Sequence, residues 1–176
     1  AEKGKKVALI CSGDAGVYGM ASLMYEVGKQ YPNIELVIIP GITAACSGAA
    51  VLGAPLNHDF CVISLSDLLT PWKKIEKRLE AAAIGDFSIA IYNPSSHKRY
   101  DYLEKACNIL LRHIERERAC GYVENIGREG TKAVTCTLQE LRNAKVNMFT
   151  TVFIGNASSE ILNGKLVTKR GYHVKG

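Results

Sequence analysis

A 176-residue chain with 47% hydrophobic and 22% charged residues has the apolar content of a folded protein with a core, which excludes a disordered polymer. Its apolar runs, such as residues 7–11 and 36–39, are too short to cross a bilayer, and no apolar leader follows Ala1-Glu2-Lys3-Gly4-Lys5-Lys6, so no membrane partner is expected and the chain reads as cytoplasmic. The net charge of +5 is scattered and the 7% of aromatic residues do not alternate with basic ones, so no nucleic-acid partner is expected; a polycarboxylate ligand suits the same charge.

Residues 6–11 form a short apolar run bounded by Ser12-Gly13-Asp14 and read as a buried strand. Residues 20–30 read as a helix, with Leu23, Met24 and Val27 on one face. A second buried strand over 34–39 is closed by Pro40-Gly41, and Thr43 stands where it can cap a helix over 44–52. Residues 60–65 make a third strand, and this alternation predicts an open, largely parallel sheet.

Residues 66–70 look like a junction. Pro71 then suits a helix start and places Trp72, Ile75, Leu79 and Ala82 on one face. Residues 87–92 read as a strand, followed by a helix of about four turns with Leu103, Cys107, Leu110 and Ile114 as its stripe. Further strands are predicted over 119–123, 133–137 and 150–154, a short helix over 138–143, and a β-rich tail over 165–174. The expected fold is α/β, in two packed units covering residues 1–66 and 67–176.

The six cysteines, at positions 11, 46, 61, 107, 120 and 136, include no C-x-x-C pair and no zinc-like spacing with His. They read as reduced thiols, and no metal site is expected.

Four loops follow predicted strands, where open α/β sheets bind ligands. In the first, Ser12-Gly13-Asp14-Ala15-Gly16-Val17-Tyr18-Gly19, the glycines permit close backbone approach and Asp14 can accept from hydroxyl or ammonium groups. It is neither G-x-G-x-x-G nor a P-loop, so a dinucleotide site is not indicated. The second is Pro40-Gly41-Ile42-Thr43-Ala44-Ala45. The third is Tyr92-Asn93-Pro94-Ser95-Ser96-His97-Lys98-Arg99, and the fourth Glu124-Asn125-Ile126-Gly127-Arg128-Glu129-Gly130. Taken singly, each is equally readable as a turn or a solvated helix start.

In order, the four segments resemble one family, the tetrapyrrole (corrin and porphyrin) methylases. The Ser-Gly-Asp loop and Pro-Gly-Ile-Thr-Ala are shared across that family. The strings Ser12 to Ala21, Tyr92-Asn93-Pro94 with Lys98-Arg99, and Asn125 to Gly130 look like the branch that methylates C17 of precorrin-3B. Family members open with a Gly-x-Gly-Pro-Gly loop ahead of Ser-Gly-Asp. No such string occurs here, so the resemblance implies a first domain truncated at its N-terminus, an exposed strand edge, weakened cofactor binding, and little or no methyl transfer by this chain.

The resemblance implies two α/β domains that fold S-adenosylmethionine into a cleft. Carried over, cofactor contacts fall on Ser12, Gly13, Asp14 and Val17, on Thr43 and Ala44, on Asn93 and on Ile126, the last at a position where many relatives have Gly. Lys98, Arg99 and Arg128 are the residues for the carboxylates of a tetrapyrrole substrate. The implied reaction is methyl transfer to C17 of precorrin-3B or cobalt-factor III with ring contraction, in cobalamin biosynthesis. It needs no protein nucleophile. His97 and Glu124 are loop candidates for an acid or base, and no catalytic residue is assigned. A homodimer of the complete protein is implied by the same resemblance, with Leu68 and Trp72 as contact candidates. Two alternatives stay open: a methylase acting at another corrinoid position, and a non-catalytic α/β binding module.

Overall fold

An apolar, β-branched run becomes a strand only where a neighbour accepts its backbone hydrogen bonds. The two parts of this chain differ in that respect. The computed structural model describes residues 1–172, and two compact units divide the chain, Ala1–Ala44 and Ala45–Gly176. The predicted residues 173 and 174 of the β-rich tail lie outside the described residues.

The first unit holds one helix, α1 (Ala21–Gly28), and long irregular connections. Residues 6–11 and 34–39, expected as buried strands, are neither paired nor buried: Val7, Ile10 and Ile39 are 72%, 92% and 73% exposed. Their side chains suit a sheet, but neither run has a ladder partner among the described residues, and composition cannot supply one. Helix α1 is also shorter than the expected 20–30, because the amides of Gln30 and Tyr31 turn back three residues, to Val27 and Gly28.

The second unit contains helices α2 (Ala44–Leu52, entered from the first unit), α3 (Trp72–Ile84), α4 (Tyr102–Leu110) and α5 (Leu138–Arg142). Its strands are β1 (Gly53–Ala54), β2 (Phe60–Ser64), β3 (Ser88–Tyr92), β4 (Ala119–Glu124), β5 (Lys132–Thr137), β6 (Thr150–Ile154), β7 (Ser159–Leu162) and β8 (Lys165–Thr168). The main sheet has the order β2-β3-β6-β4-β5, and β1-β8-β7 form a smaller one. Only β2 and β3 pair in parallel in the main sheet; β6 runs antiparallel to both β3 and β4, and β5 antiparallel to β4. The sheet is therefore mixed rather than largely parallel. Residues 66–70 lie inside this unit, between β2 and α3.

Alternation along the strands sorts the core into two faces. Ile63, Ile89, Ile91, Val152 and Ile154 pack against Ile75 and Leu79 of α3, Leu103, Cys107 and Leu110 of α4, and Leu138 and Leu141 of α5. Ala90, Val123 and Phe153 point the other way, against Ala45, Ala49 and Leu52 of α2 and Leu166 of β8. Burying each large side chain contributes about 1.5–3 kcal/mol. Helix α2 comes close to the sheet because Gly48 carries no side chain: a Cβ there would lie 2.8 Å from Ile126 Cδ1 and 2.9 Å from Phe153 Cζ.

Helix ends follow local chemistry. Pro71 precedes α3 as its cap instead of opening it, and its carbonyl accepts from the amides of Lys74 and Ile75. Helix α4 is shorter than the expected four turns: after Leu110 the amides of Arg112 and His113 bond three residues back, and Ile114 is buried from that tightened turn. Thr137 and Glu140 form a reciprocal capping box that starts α5. Arg118, only 8% exposed, ties Glu115, Asp86 and the Gly155 carbonyl together beside the start of β4.

Candidate functional site

In the first unit, the loops over 12–19 and 40–43 are laced together through Asp14. Its Oδ1 accepts from the Gly16 amide at 2.7 Å and its Oδ2 from the Gly41 amide at 2.8 Å. The Gly41 amide, then that of Gly16, hold the Asp14 carboxyl below its ordinary range. Approach of the two loops demands glycine: a Cβ on Gly41 would lie 2.1 Å from the Gly13 carbonyl oxygen, and Gly13 itself has φ +76°. Ser12 and Gly13 are exposed, while Asp14, Val17, Thr43 and Ala44 are half-buried. The sequence reading makes Asp14 a direct acceptor for a ligand. Its two oxygens are already engaged by backbone amides, so in this structure the carboxylate ties the loops together.

In the second unit, β2, β3 and β4 run in the same direction, so Ser64, Tyr92 and Glu124 end at one edge of the main sheet. The loops over 93–99 and 125–130 emerge from that edge. Each opens with an asparagine in the left-handed region, Asn93 and Asn125 both at φ +53°, a conformation that short polar side chains tolerate. Strand β6 lies between β3 and β4, so the two loop origins stand about 10 Å apart.

The 93–99 loop is held from both ends by the turn that follows β2. Asn93 Nδ2 donates to Ser64 Oγ at 2.9 Å, and the Leu65 amide donates to the Tyr92 carbonyl at 2.9 Å. At the far end, Arg99 Nε donates to Asp67 Oδ1 at 2.5 Å and the Tyr102 hydroxyl to Asp67 Oδ2 at 2.6 Å. These two donors, Tyr102 foremost, pull the Asp67 carboxyl below its ordinary range, and the Asp67 bond raises the Tyr102 phenol. Tyr92 also anchors α2, because its hydroxyl accepts from the Ala45 amide at 2.7 Å. His97 and Lys98 are exposed on the loop.

The 125–130 loop closes on itself. Thr131 Oγ1 lies 2.8 Å from the carbonyls of both Asn125 and Arg128 and shares its one hydroxyl hydrogen between them, and the Asn125 amide donates to the Phe149 carbonyl. The half-buried side chain of Ile126 packs against the core beside Gly48. Arg128 is exposed, with its guanidinium 4.8 Å from the centre of the Phe149 ring.

Asn93, Lys98, Arg99, Ile126 and Arg128 thus lie on two loops that leave the same ends of main-sheet strands, while Ser12, Gly13, Asp14, Val17, Thr43 and Ala44 lie in the first unit. Sequence reasoning missed Ser64, Asp67 and Tyr102, the residues that fix the 93–99 loop. A serine ending a strand and an aspartate shortly after it were the available signals, and neither identifies its partner. Among the described residues no group of three His, Cys, Asp or Glu side chains is placed to hold a metal ion.

This arrangement has known relatives. The family model of the Tetrapyrrole (Corrin/Porphyrin) Methylases matches residues 1–142. A probable cobalt-factor III C(17)-methyltransferase of Salmonella typhimurium is 46% identical over 173 residues, covering 98% of this chain and 72% of that protein. The cobalt-factor III methyltransferase of Priestia megaterium is 47% identical over 99% of this chain, which spans 33% of that longer protein. The crystal structure of the methyltransferase CobJ matches with a TM-score of 0.87 at 36% identity, over 96% of this chain and 72% of that one. With a family model covering most of its length and a relative this similar, the chain belongs to the tetrapyrrole (corrin/porphyrin) methylase family.

Proposed function

We propose that this chain performs S-adenosylmethionine-dependent methyl transfer to C17 of a precorrin-3B or cobalt-factor III tetrapyrrole, with ring contraction, in cobalamin biosynthesis. The observation that carries the reading is 46% identity over 98% of the chain to a probable cobalt-factor III C(17)-methyltransferase. The CobJ likeness supports it.

The residues of the first unit fit the cofactor's chemistry. Ser12 and the backbone of Gly13 are exposed, and the fixed Asp14 carboxylate suits a hydroxyl or an ammonium group. With Val17, Thr43 and Ala44 they form one contact set; Asn93 and the backbone of Ile126 supply the others. When bound, S-adenosylmethionine provides a methyl group on a sulfonium leaving group. The protein's part is to align the two reactants and exclude water, so no nucleophilic side chain is required. Arg99, Lys98 and Arg128 hold substrate carboxylates by charge-assisted hydrogen bonds. The same reading makes the enzyme a cytoplasmic homodimer.

The test is a methyl-transfer assay on metal-free and cobalt-loaded substrate, with titration of S-adenosylhomocysteine alongside. Transfer to C17 of either substrate is the expected result, and the preferred form distinguishes the two substrate classes. Transfer to a different ring carbon overturns the C17 assignment. Absence of both cofactor binding and transfer overturns the enzyme reading.

A further inference from the structure

We propose that Asp67 is a positioning residue for substrate: its carboxylate sets the Arg99 guanidinium so that the paired Nη groups face one carboxylate of the tetrapyrrole. This rests on the reading of the site as one for a polycarboxylate tetrapyrrole.

A guanidinium recognises a carboxylate best when its orientation is fixed beforehand, because two parallel hydrogen bonds then form without a further loss of side-chain freedom. Arg99 meets that condition. Its Nε donates to Asp67 Oδ1 at 2.5 Å and its guanidinium also bonds the Tyr102 hydroxyl, which together fix the head group while its remaining N–H donors serve another acceptor. Its guanidinium carbon also lies 6.0 Å from the centre of the Tyr102 ring. The backbone is fixed as well, since Arg99 and Ser96 exchange amide-to-carbonyl hydrogen bonds at 3.0 and 3.4 Å.

Asp67 is held in turn. The Tyr102 hydroxyl donates to its second oxygen at 2.6 Å, and the Tyr102 ring packs against Trp72, centroid to centroid 4.7 Å. A half-buried aromatic pair at the start of α3 and α4 therefore orients an acid, and the acid orients a cation. The Arg99 side chain stays 21% exposed and Asp67 29% exposed, so the pair sits at the surface of the 93–99 loop where a ligand can reach it. Lys98, exposed on the same loop, adds charge of the same sign.

Asp67→Asn keeps the shape and removes the charge that fixes Nε. Trp72, the single tryptophan, packs at a tilt against Tyr102, so its fluorescence is the readout for ligand binding. The probes are uroporphyrin III as a polycarboxylate tetrapyrrole and S-adenosylhomocysteine for the cofactor. Asp67→Asn should weaken uroporphyrin binding about tenfold, the size of one charge-assisted hydrogen bond, and leave the S-adenosylhomocysteine affinity within about twofold. In turnover, KM for the tetrapyrrole should rise by a similar factor while kcat changes less. Asp67→Asn combined with Arg99→Ala should be no weaker than Arg99→Ala alone, because the acid acts through the arginine. Tyr102→Phe should show a smaller loss of the same pattern.

Unchanged tetrapyrrole affinity in Asp67→Asn overturns the proposal. So do equal losses for both probes, or losses that multiply in the double variant, since each describes a merely structural pair. If Asp67→Asn does not fold, Tyr102→Phe and Arg99→Ala with their double variant carry the same comparison. A wild-type protein that binds uroporphyrin but transfers no methyl group sinks the proposed reaction and leaves the positioning role standing. A wild-type protein that binds no tetrapyrrole sinks both.

Discussion

The Asp14 carboxylate and the Gly41 amide, 27 residues apart in sequence, meet at 2.8 Å and join the two glycine-bearing loops of the first unit. The loop that carries Ser12 and Gly13 is consequently set by the loop that carries Thr43. Asp14→Ala removes the acceptor for both Gly16 and Gly41. Affinity for S-adenosylhomocysteine should fall about tenfold, as expected for lost hydrogen-bond partners, and calorimetric titration measures it directly.

Acid should undo the same contact, with a definite sign. Backbone amides hold the Asp14 carboxyl below its ordinary value of 3.8, so its contribution is present above that pH and is lost as pH falls through the lower folded-state value. The Gly41 amide resonance should titrate with a midpoint below 3.8. A midpoint above it contradicts the two-amide geometry.

Gly41→Ala tests the spacing instead of the charge. Its Cβ would stand 2.1 Å from the Gly13 carbonyl oxygen, so the loops must separate. Cofactor affinity should drop at least as far as in Asp14→Ala.

Phe153 is fully buried on the α2 face of the sheet. Phe153→Ala should cost about 3–5 kcal/mol by the loss of burial and the cavity left behind, read as a lowered urea midpoint. Arg118→Ala should cost less, about 1–3 kcal/mol. Its acidic partners Asp86 and Glu115 are 48% and 54% exposed and resolvate, leaving chiefly the Gly155 carbonyl short of a donor.

All six cysteines are free, with Cys46 exposed and Cys107 and Cys120 buried. Burial pushes the Cys107 thiol up to about 12 and Cys120 well above its ordinary value. A thiol reagent at pH 8 should therefore modify Cys46 quickly, and these two only after unfolding. The linked stability change has the opposite sign to that of Asp14. The contribution of Cys107 is present below 9.0 and is lost as pH rises toward about 12, so the urea midpoint should fall in strong alkali.

The sequence by itself determined the local elements and the family. Ile75, Leu79 and Ala82 mark the buried stripe of α3, the short apolar run Val152-Phe153-Ile154 marks β6, and the four ordered loop strings carry the methylase resemblance. Asn163-Gly164 is an equally legible hairpin signal for β7 and β8: both residues have positive φ and join the two strands in the two-residue turn that suits this dipeptide. Only the tertiary structure decided which runs pair. Residues 6–11 look as strand-like as residues 150–154, yet only the second has neighbours on both sides, because pairing depends on where a partner strand lies and not on the strand's own side chains. The same holds for the site. Asp67 and Arg99 are 32 residues apart, and nothing local to either announces the other; the parallel pairing of β2 with β3 brings the turn after one strand against the loop after its neighbour.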